Sequence, residues 1–185
     1  MPESRGSGRD GRCIERGMIT VLVRATTGAE PLAVTFSALV PAVAEGIVSH
    51  AVAIAPADAA RLAAIERIAD AMGAQVVSDQ ANAYAQAALV ARGEWVLLLE
   101  AGEVMITGWT RTAERHLARH PAGMPGNVSA GFWLRSGLAG WQERLAVMLA
   151  PTRLRPGLLA PRAAITGGTG WSKTLILPGG RTSGL

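Results

Sequence analysis

Two acidic residues close a short apolar run in Glu94-Trp95-Val96-Leu97-Leu98-Leu99-Glu100-Ala101-Gly102-Glu103. The run is long enough for one buried strand and too short for a membrane span. Carboxylates just beyond the carboxyl end of a buried strand sit where open α/β sheets bind ligands. Glu100 and Glu103 have the chemistry to hold a divalent cation and a phosphorylated compound, because magnesium and manganese take oxygen ligands. The alternative is a pair of solvated acids at a strand end. Asp79 follows another short strand and has the chemistry of a base or a ribose contact. Asp58 precedes an apolar-periodic stretch, as an N-cap residue does. His116 and His120 have the i, i+4 spacing of two metal ligands on one helix face, but zinc needs more ligands than two. His50 falls inside a strand and reads as a packed residue. Glu143, beside Arg144, reads as a surface pair, so no general base stands out.

The elements that must position these residues follow from periodicity. Ile19-Thr20-Val21-Leu22-Val23 is β-branched and short, a buried strand bounded by the Thr26-Thr27-Gly28 turn. Pro31 suits a first helical turn, and Leu32, Phe36, Leu39 and Val43 recur at near-helical spacing. Residues 47–54 read as a second strand. The helix after Asp58 carries Leu62, Ile65, Ile68 or Ala69, and Met72 on one face and stops at Gly73. Residues 74–77 form a third strand, residues 82–92 a helix, and the opening run a fourth strand. This βαβαβαβ alternation predicts an α/β domain with a parallel sheet and helices on both faces. Beyond it, Trp109–His120 reads as a helix with Arg111, Arg115 and Arg119 on one side. Residues 128–135 read as a strand. Residues 138–150 read as an amphipathic helix with Leu138, Trp141, Leu145 and Met148 or Leu149 on one side, expected to cover the sheet. Residues 157–160 are a further strand candidate, and the Gly-rich stretch from Thr166 has no firm reading.

At 185 residues, 49% of them hydrophobic, the chain has the length and composition of one globular domain. No uncharged apolar window reaches membrane-spanning length. The single cysteine, Cys13, excludes an internal disulfide and a cysteine-built zinc site. Together with the lack of a signal-peptide core, it points to the reducing cytoplasm. The net charge of +4 is unevenly spread, because residues 105–185 carry nine Arg and one Lys against two acids. That part can attract phosphates or anionic lipid, whereas the near absence of Lys and of any recognised motif argues against nucleic acid. Residues 1–17 lack apolar periodicity and are expected to be a disordered extension, with Met18 as the native start.

The order of these segments resembles the donor-binding half of family 2 glycosyltransferases with the GT-A fold. The residues that carry it are Val21-Leu22-Val23-Arg24-Ala25-Thr26-Thr27-Gly28-Ala29, where relatives have a strand and a Pro-Thr-x-Asn-Glu loop, then Ala55-Pro56-Ala57-Asp58 and Gly73-Ala74-Gln75-Val76-Val77. Most specific is Ala91-Arg92-Gly93-Glu94-Trp95-Val96-Leu97-Leu98-Leu99-Glu100-Ala101-Gly102 with Gly108-Trp109 after it, against the family's Ala-x-Gly-Glu-Trp-x-Leu-x-Leu-Asp-Ala-Asp run and later Gly-Trp. The resemblance implies a GT-A-like, Rossmann-related domain over residues 18–168, followed by a Gly-rich tail, 169–185. It implies transfer of a sugar from a nucleoside-diphosphate sugar, with Ala25, Thr27, Asp58, Asp79 and Glu100 at the donor and a magnesium or manganese ion on Glu100 and Glu103. It also implies peripheral membrane contact through the helix around Trp141; independently of the resemblance, Trp133 and Trp141 have the chemistry of acceptor-side stacking platforms. The polar positions depart from the family. Its metal-binding Asp-x-Asp is Glu100-Ala101-Gly102 here, its uracil-contacting Asp is Ala55, and the Glu-Asp motif that carries its base is absent from a chain that ends at Leu185, as a truncated member's would. A catalytically silent descendant that binds a nucleotide sugar or a protein is therefore the alternative.

Overall fold

The β-branched run after Met18 becomes β1 (Ile19–Arg24), mainly apolar and buried up to its terminal Arg24 because both of its faces are covered. The computed structural model describes residues 19–122, 129–167 and 171–184. The expectations placed on residues 1–17 and on Met18 lie outside them. β1 pairs in parallel with β2 (Val48–Ala55) on one side and with β4 (Trp95–Glu100) on the other, which sets Arg24 beside Glu100. β3 (Gln75–Ser78) adds to β2, with Ser78 opposite Ala55. The connections are α1 (Ala29–Ala44), α2 (Ala59–Ala71) and α3 (Ala83–Val90), as the alternating pattern predicts.

The later chain extends the same sheet. It supplies β5 (Glu103–Met105), α4 (Trp109–Arg119), β6 (Ser129–Phe132), α5 (Leu138–Leu149), β7 (Leu158–Pro161), α6 (Arg162–Thr166), β8 (Lys173–Ile176) and β9 (Arg181–Ser183). The strand order is β3-β2-β1-β4-β7-β6-β8, and β5 with β9 forms a separate two-stranded sheet. β7 runs against β4 and β6, while the other pairings of the large sheet are parallel. Residues after Thr166, without a firm reading in the sequence, thus supply an edge strand and half of the small sheet. Two buried clusters flank the large sheet. One joins Val21, Val23, Leu97 and Leu99 to Leu32 and Phe36 of α1, Ile65 of α2, and Trp109 and Ala113 of α4. The other joins Leu22, Val96 and Leu98 to Ala87 of α3, Val147 of α5 and Ile165 of α6.

One expectation fails here. The apolar side of α5 does not cover the sheet: Leu138, Trp141, Leu145, Met148 and Leu149 are exposed, Leu149 at 85%. A second stripe with the same helical spacing docks instead. Gly140 and Val147 are buried, and Glu143 between them reaches the buried Arg181 and the exposed Arg135. A Cβ at Gly140 would lie 2.2 Å from the Arg135 carbonyl oxygen, so this close approach needs glycine.

Candidate functional site

The carboxyl ends of β1, β3 and β4 open onto one cleft of about 610 Å³, lined by Arg24, Gln80, Ala81, Asn82, Ala83, Tyr84, Glu100 and the segment Arg153-Leu154-Arg155-Pro156. Its position at the ends of parallel strands is the one open α/β sheets give their ligands. Glu100 ends β4, and its Oε1 accepts the hydroxyl of Thr26 from the β1–α1 loop. Arg24 ends β1 and donates through Nε to Asp79 at 2.9 Å. That hydrogen bond raises the Arg24 pKa, and the charges of Asp79 and Glu100 add to it. Tyr84, on α3, donates to the Leu99 carbonyl at 3.1 Å. Burial, and then the charge of Glu100, pushes its phenol well above the usual range, so it stays neutral.

Glu103 is buried and does not line the cleft. Gly102 adopts a left-handed conformation (φ 91°) in the turn between β4 and β5. The turn is pinned by Thr35 of α1, which accepts the Gly102 N–H and donates to the Glu103 carbonyl. The Glu103 carboxylate is buried. Its Oε1 accepts from Nη1 of Arg181 and from Nε of Arg135 at 3.1 Å, and its Oε2 accepts the backbone N–H of Glu100 at 3.0 Å. The expected pairing of Glu100 with Glu103 on one cation is therefore not the arrangement seen: Glu100 lines the cleft, while both oxygens of Glu103 are taken by Arg135, Arg181 and the Glu100 N–H. Arg181, 1% exposed, also donates to Glu143 at 2.6 Å, to the Pro156 carbonyl at 2.8 Å and to the Trp133 carbonyl at 3.1 Å. Burial lowers its pKa to about 10, so it remains charged at neutral pH. Glu143 is no simple surface pair with Arg144. It accepts the Arg135 N–H at 2.8 Å, and burial raises its pKa.

The remaining candidates separate. Asp58 caps α2, accepting the N–H groups of Ala60 and Arg61 at 2.9 and 3.2 Å. Ala25 is buried, with its N–H on the Ile54 carbonyl, and Thr27 is exposed beside Ala101. Of the predicted donor residues, Asp79 and Glu100 are brought together through Arg24. His116 packs in the core edge-on to Trp95, with Nε2 3.0 Å from the Ser129 carbonyl, and His120 lies against it. Among the described residues no three His, Cys, Asp or Glu side chains group to hold a metal. Arg111, Arg115 and Arg119 are exposed on α4 and none lines the cleft. Trp133 is fully buried against Trp109 and cannot serve as an acceptor platform. Arg24, Tyr84, Arg153 and Arg155 were not singled out in the sequence. The only signal for the last two was the excess of Arg after residue 105.

The sequence matches no protein-family model and no curated protein. Solved structures are matched. The chain is similar to glucosyl-3-phosphoglycerate synthase from Mycobacterium tuberculosis. With the structure that holds Mn2+, uridine diphosphate and phosphoglyceric acid, the TM-score is 0.58 at 15% identity, over 90% of this chain and 70% of that one. With the structure that holds Mn2+, uridine diphosphate and glucosyl-3-phosphoglycerate, it is 0.56 at 15% identity, over 90% and 72%. A further mycobacterial protein gives 0.52 at 19% identity, with 54% of its length covered. The chain has a GT-A fold. The segment order that resembled this fold in the sequence is thus present in space, with the cleft at the carboxyl ends of the parallel GT-A strands. Among the described residues, no helix is long and apolar enough to cross a membrane.

Proposed function

We propose that the cleft binds a nucleoside-diphosphate sugar with a divalent cation, and that the chain is a glycosyltransferase-like protein using that donor. The observation that carries this reading is the make-up of the cleft, where a single carboxylate, Glu100, faces Arg24, Arg153 and Arg155. Guanidinium groups match the oxygens of a diphosphate. A magnesium or manganese ion needs only one or two carboxylates when phosphates and water complete its shell, so Glu100 fits such an ion without Glu103. When bound, the cation offsets the charge of the leaving diphosphate. In this reading Asp79, outside the cleft lining, acts on the donor through its ion pair with Arg24, and Ala25 and Thr27 act through the loop that presents Thr26 to Glu100. The ligands held in the similar structures, uridine diphosphate with Mn2+, support the choice of ligand class.

A binding-only protein is the second reading. Sugar transfer needs a group to take the proton of the acceptor hydroxyl, and Glu100 is the one carboxylate among the described residues of the cleft lining. Both readings are tested by thermal unfolding with uridine diphosphate, guanosine diphosphate and their glucose conjugates, with and without Mn2+. Ligand at about a hundred times its Kd stabilises the fold by about 2.7 kcal/mol, and Glu100→Ala should abolish the Mn2+-dependent part. No shift with any nucleotide would remove the donor reading. A shift without release of free sugar or transfer to any acceptor would leave the binding-only form.

The reading includes a peripheral contact with anionic membrane on the cytoplasmic side. It is supported by the exposed apolar side of α5, by the exposed Arg144 on that helix, and by the inward turn of Glu143, the one acid within α5. Cys13 as the single cysteine suits a reducing compartment.

A further inference from the structure

Two walls of the cleft are joined through the backbone where β7 pairs with β4, and both are also tied to one buried side chain. The first wall is Glu100, at the end of β4. Its backbone N–H is held by Oε2 of Glu103, whose Oε1 takes Nη1 of Arg181. The second wall is the Arg153–Pro156 segment. Its last carbonyl, that of Pro156, accepts from Nη2 of the same Arg181, and the next residue, Gly157, donates its N–H to the Leu98 carbonyl at 2.6 Å. Space for the guanidinium depends on Gly157, since a Cβ there would lie 2.5 Å from the Arg181 Nε and 2.4 Å from the Trp133 carbonyl oxygen. Arg181 arrives on β9, which is fixed by its pairing with β5, where Met105 faces Arg181, and by the bond from Arg181 N–H to the Leu134 carbonyl.

The charges explain why this position takes arginine. Arg181 and Arg135 stand against Glu103 and Glu143, so the buried group is balanced. A planar guanidinium can serve two carboxylates and two carbonyl oxygens at once, in fixed directions. A lysine ammonium would carry the charge but could not span those acceptors. The backbone link between the walls runs through Gly157 on the Leu98 carbonyl and the β4–β7 pairing, and Arg181 adds the side-chain link that reaches Glu103 and Pro156.

We infer that Arg181 is a positioning residue of the cleft, setting the Glu100 floor and the Arg153–Pro156 rim at the separation that a diphosphate and its cation require. This rests on the donor reading above. The guanidinium touches no ligand itself. It acts through Glu103 on one wall and through Pro156 on the other, which makes the C-terminal strand a part of the site.

The experiment is amide hydrogen exchange on the ligand-free full chain, paired with titration of uridine diphosphate and Mn2+, for the wild type, Arg181→Lys and Glu103→Gln. In Arg181→Lys the amides of Glu100 and Gly157 should lose protection while those of β1 and β2 keep theirs. Glu103→Gln retains one oxygen for the arginines and turns an NH2 group toward the Glu100 N–H, so Glu100 should loosen and Gly157 should not. Nucleotide affinity should fall about 10- to 100-fold in Arg181→Lys, as for other groups that act on a ligand through a neighbour. Unchanged protection at both amides, or an equal loss across the whole sheet, would overturn the inference. So would wild-type affinity in a folded Arg181→Lys. If the wild type binds no nucleotide, the donor reading falls while the exchange pattern still decides whether Arg181 sets the two walls. If Arg181→Lys does not fold, the split between Glu100 and Gly157 in Glu103→Gln decides it.

Discussion

Glu100 and Glu103 share one turn and lie in opposite surroundings. Glu100 looks into an open cleft and its described partner is a hydroxyl from the neighbouring loop. Glu103 is buried, and its partners come from 32 and 78 residues further along the chain. A carboxylate left accessible can accept a ligand, whereas one whose oxygens are all engaged by protein donors serves the scaffold. The difference lies in what distant chain is delivered to each side of Gly102, since the two residues are chemically identical.

The largest expected effect breaks the buried side. Glu103→Ala leaves Arg181 buried beside only Glu143 and should cost about 3–5 kcal/mol, the range for removing one partner of a buried pair. For a chain of this length each kcal/mol lowers Tm by about 2–4 °C, so calorimetry reads the change directly. A loss below about 1 kcal/mol would mean that the cluster relaxes or hydrates, and the contrast between the two acids would collapse. Glu100→Ala tests the open side. It forfeits the Thr26 hydrogen bond to a charged group, for about 1.5–3 kcal/mol, yet it should erase the Mn2+-dependent nucleotide shift. If Glu100→Ala destabilises as much as Glu103→Ala, the cleft-facing carboxylate is itself structural.

How much of this could be read in the sequence depends on how far the deciding contact lies from the residue. β1, β2 and β4 are legible because strands covered on both faces are dominated by apolar residues, and α2 is bracketed by its own signals, Asp58 and Gly73. The cleft location follows from the same runs. β5 and β9 are three residues each, too short for any period to show, so the strand that delivers Arg181 had no local mark. Periodicity gives α5 two stripes of equal spacing, Leu138-Trp141-Leu145-Met148 and Gly140-Glu143-Val147. Apolar content favours burying the first. The partners of Glu143, Arg135 and Arg181, decide for the second.

That orientation gives a smaller effect and a sharper test of α5 against α4, whose apolar residues Trp109 and Ala113 are buried and whose arginines face outward. Trp141→Gln and Leu149→Gln should each leave stability within about 0.5 kcal/mol, as exposed substitutions do. Both should reduce co-sedimentation with phosphatidylglycerol vesicles. Wild-type protein that pellets equally with neutral phosphatidylcholine vesicles, or not at all, would remove the anionic-membrane contact. A marked loss of stability would show that the exposed stripe is covered after all.

The smallest effect concerns buried groups that lack what Glu103 has. His116 is 4% exposed, with one ring nitrogen on the Ser129 carbonyl and its ring against Trp95 and His120, and no carboxylate described beside it. Burial lowers its pKa from 6.5, outweighing the Ser129 hydrogen bond, and the neighbouring His120 lowers it further. His50, buried in β2, shifts the same way through burial and the charge of Arg92. In the unfolded chain both rings take up protons near their ordinary pKa, and in the fold they do so only at lower pH. Below about pH 6.5 the unfolded state therefore binds more protons, and stability that is complete above that pH is lost as the pH falls through the folded-state values. His116→Gln keeps a hydrogen-bond donor for Ser129 without titrating. Its urea-unfolding free energy should vary less between pH 5 and pH 7 than that of the wild type, with the two proteins diverging most on the acidic side. Parallel slopes would mean that the His116 ring accepts its proton in place. Burial without a counter-charge would then not be what separates it from Glu103.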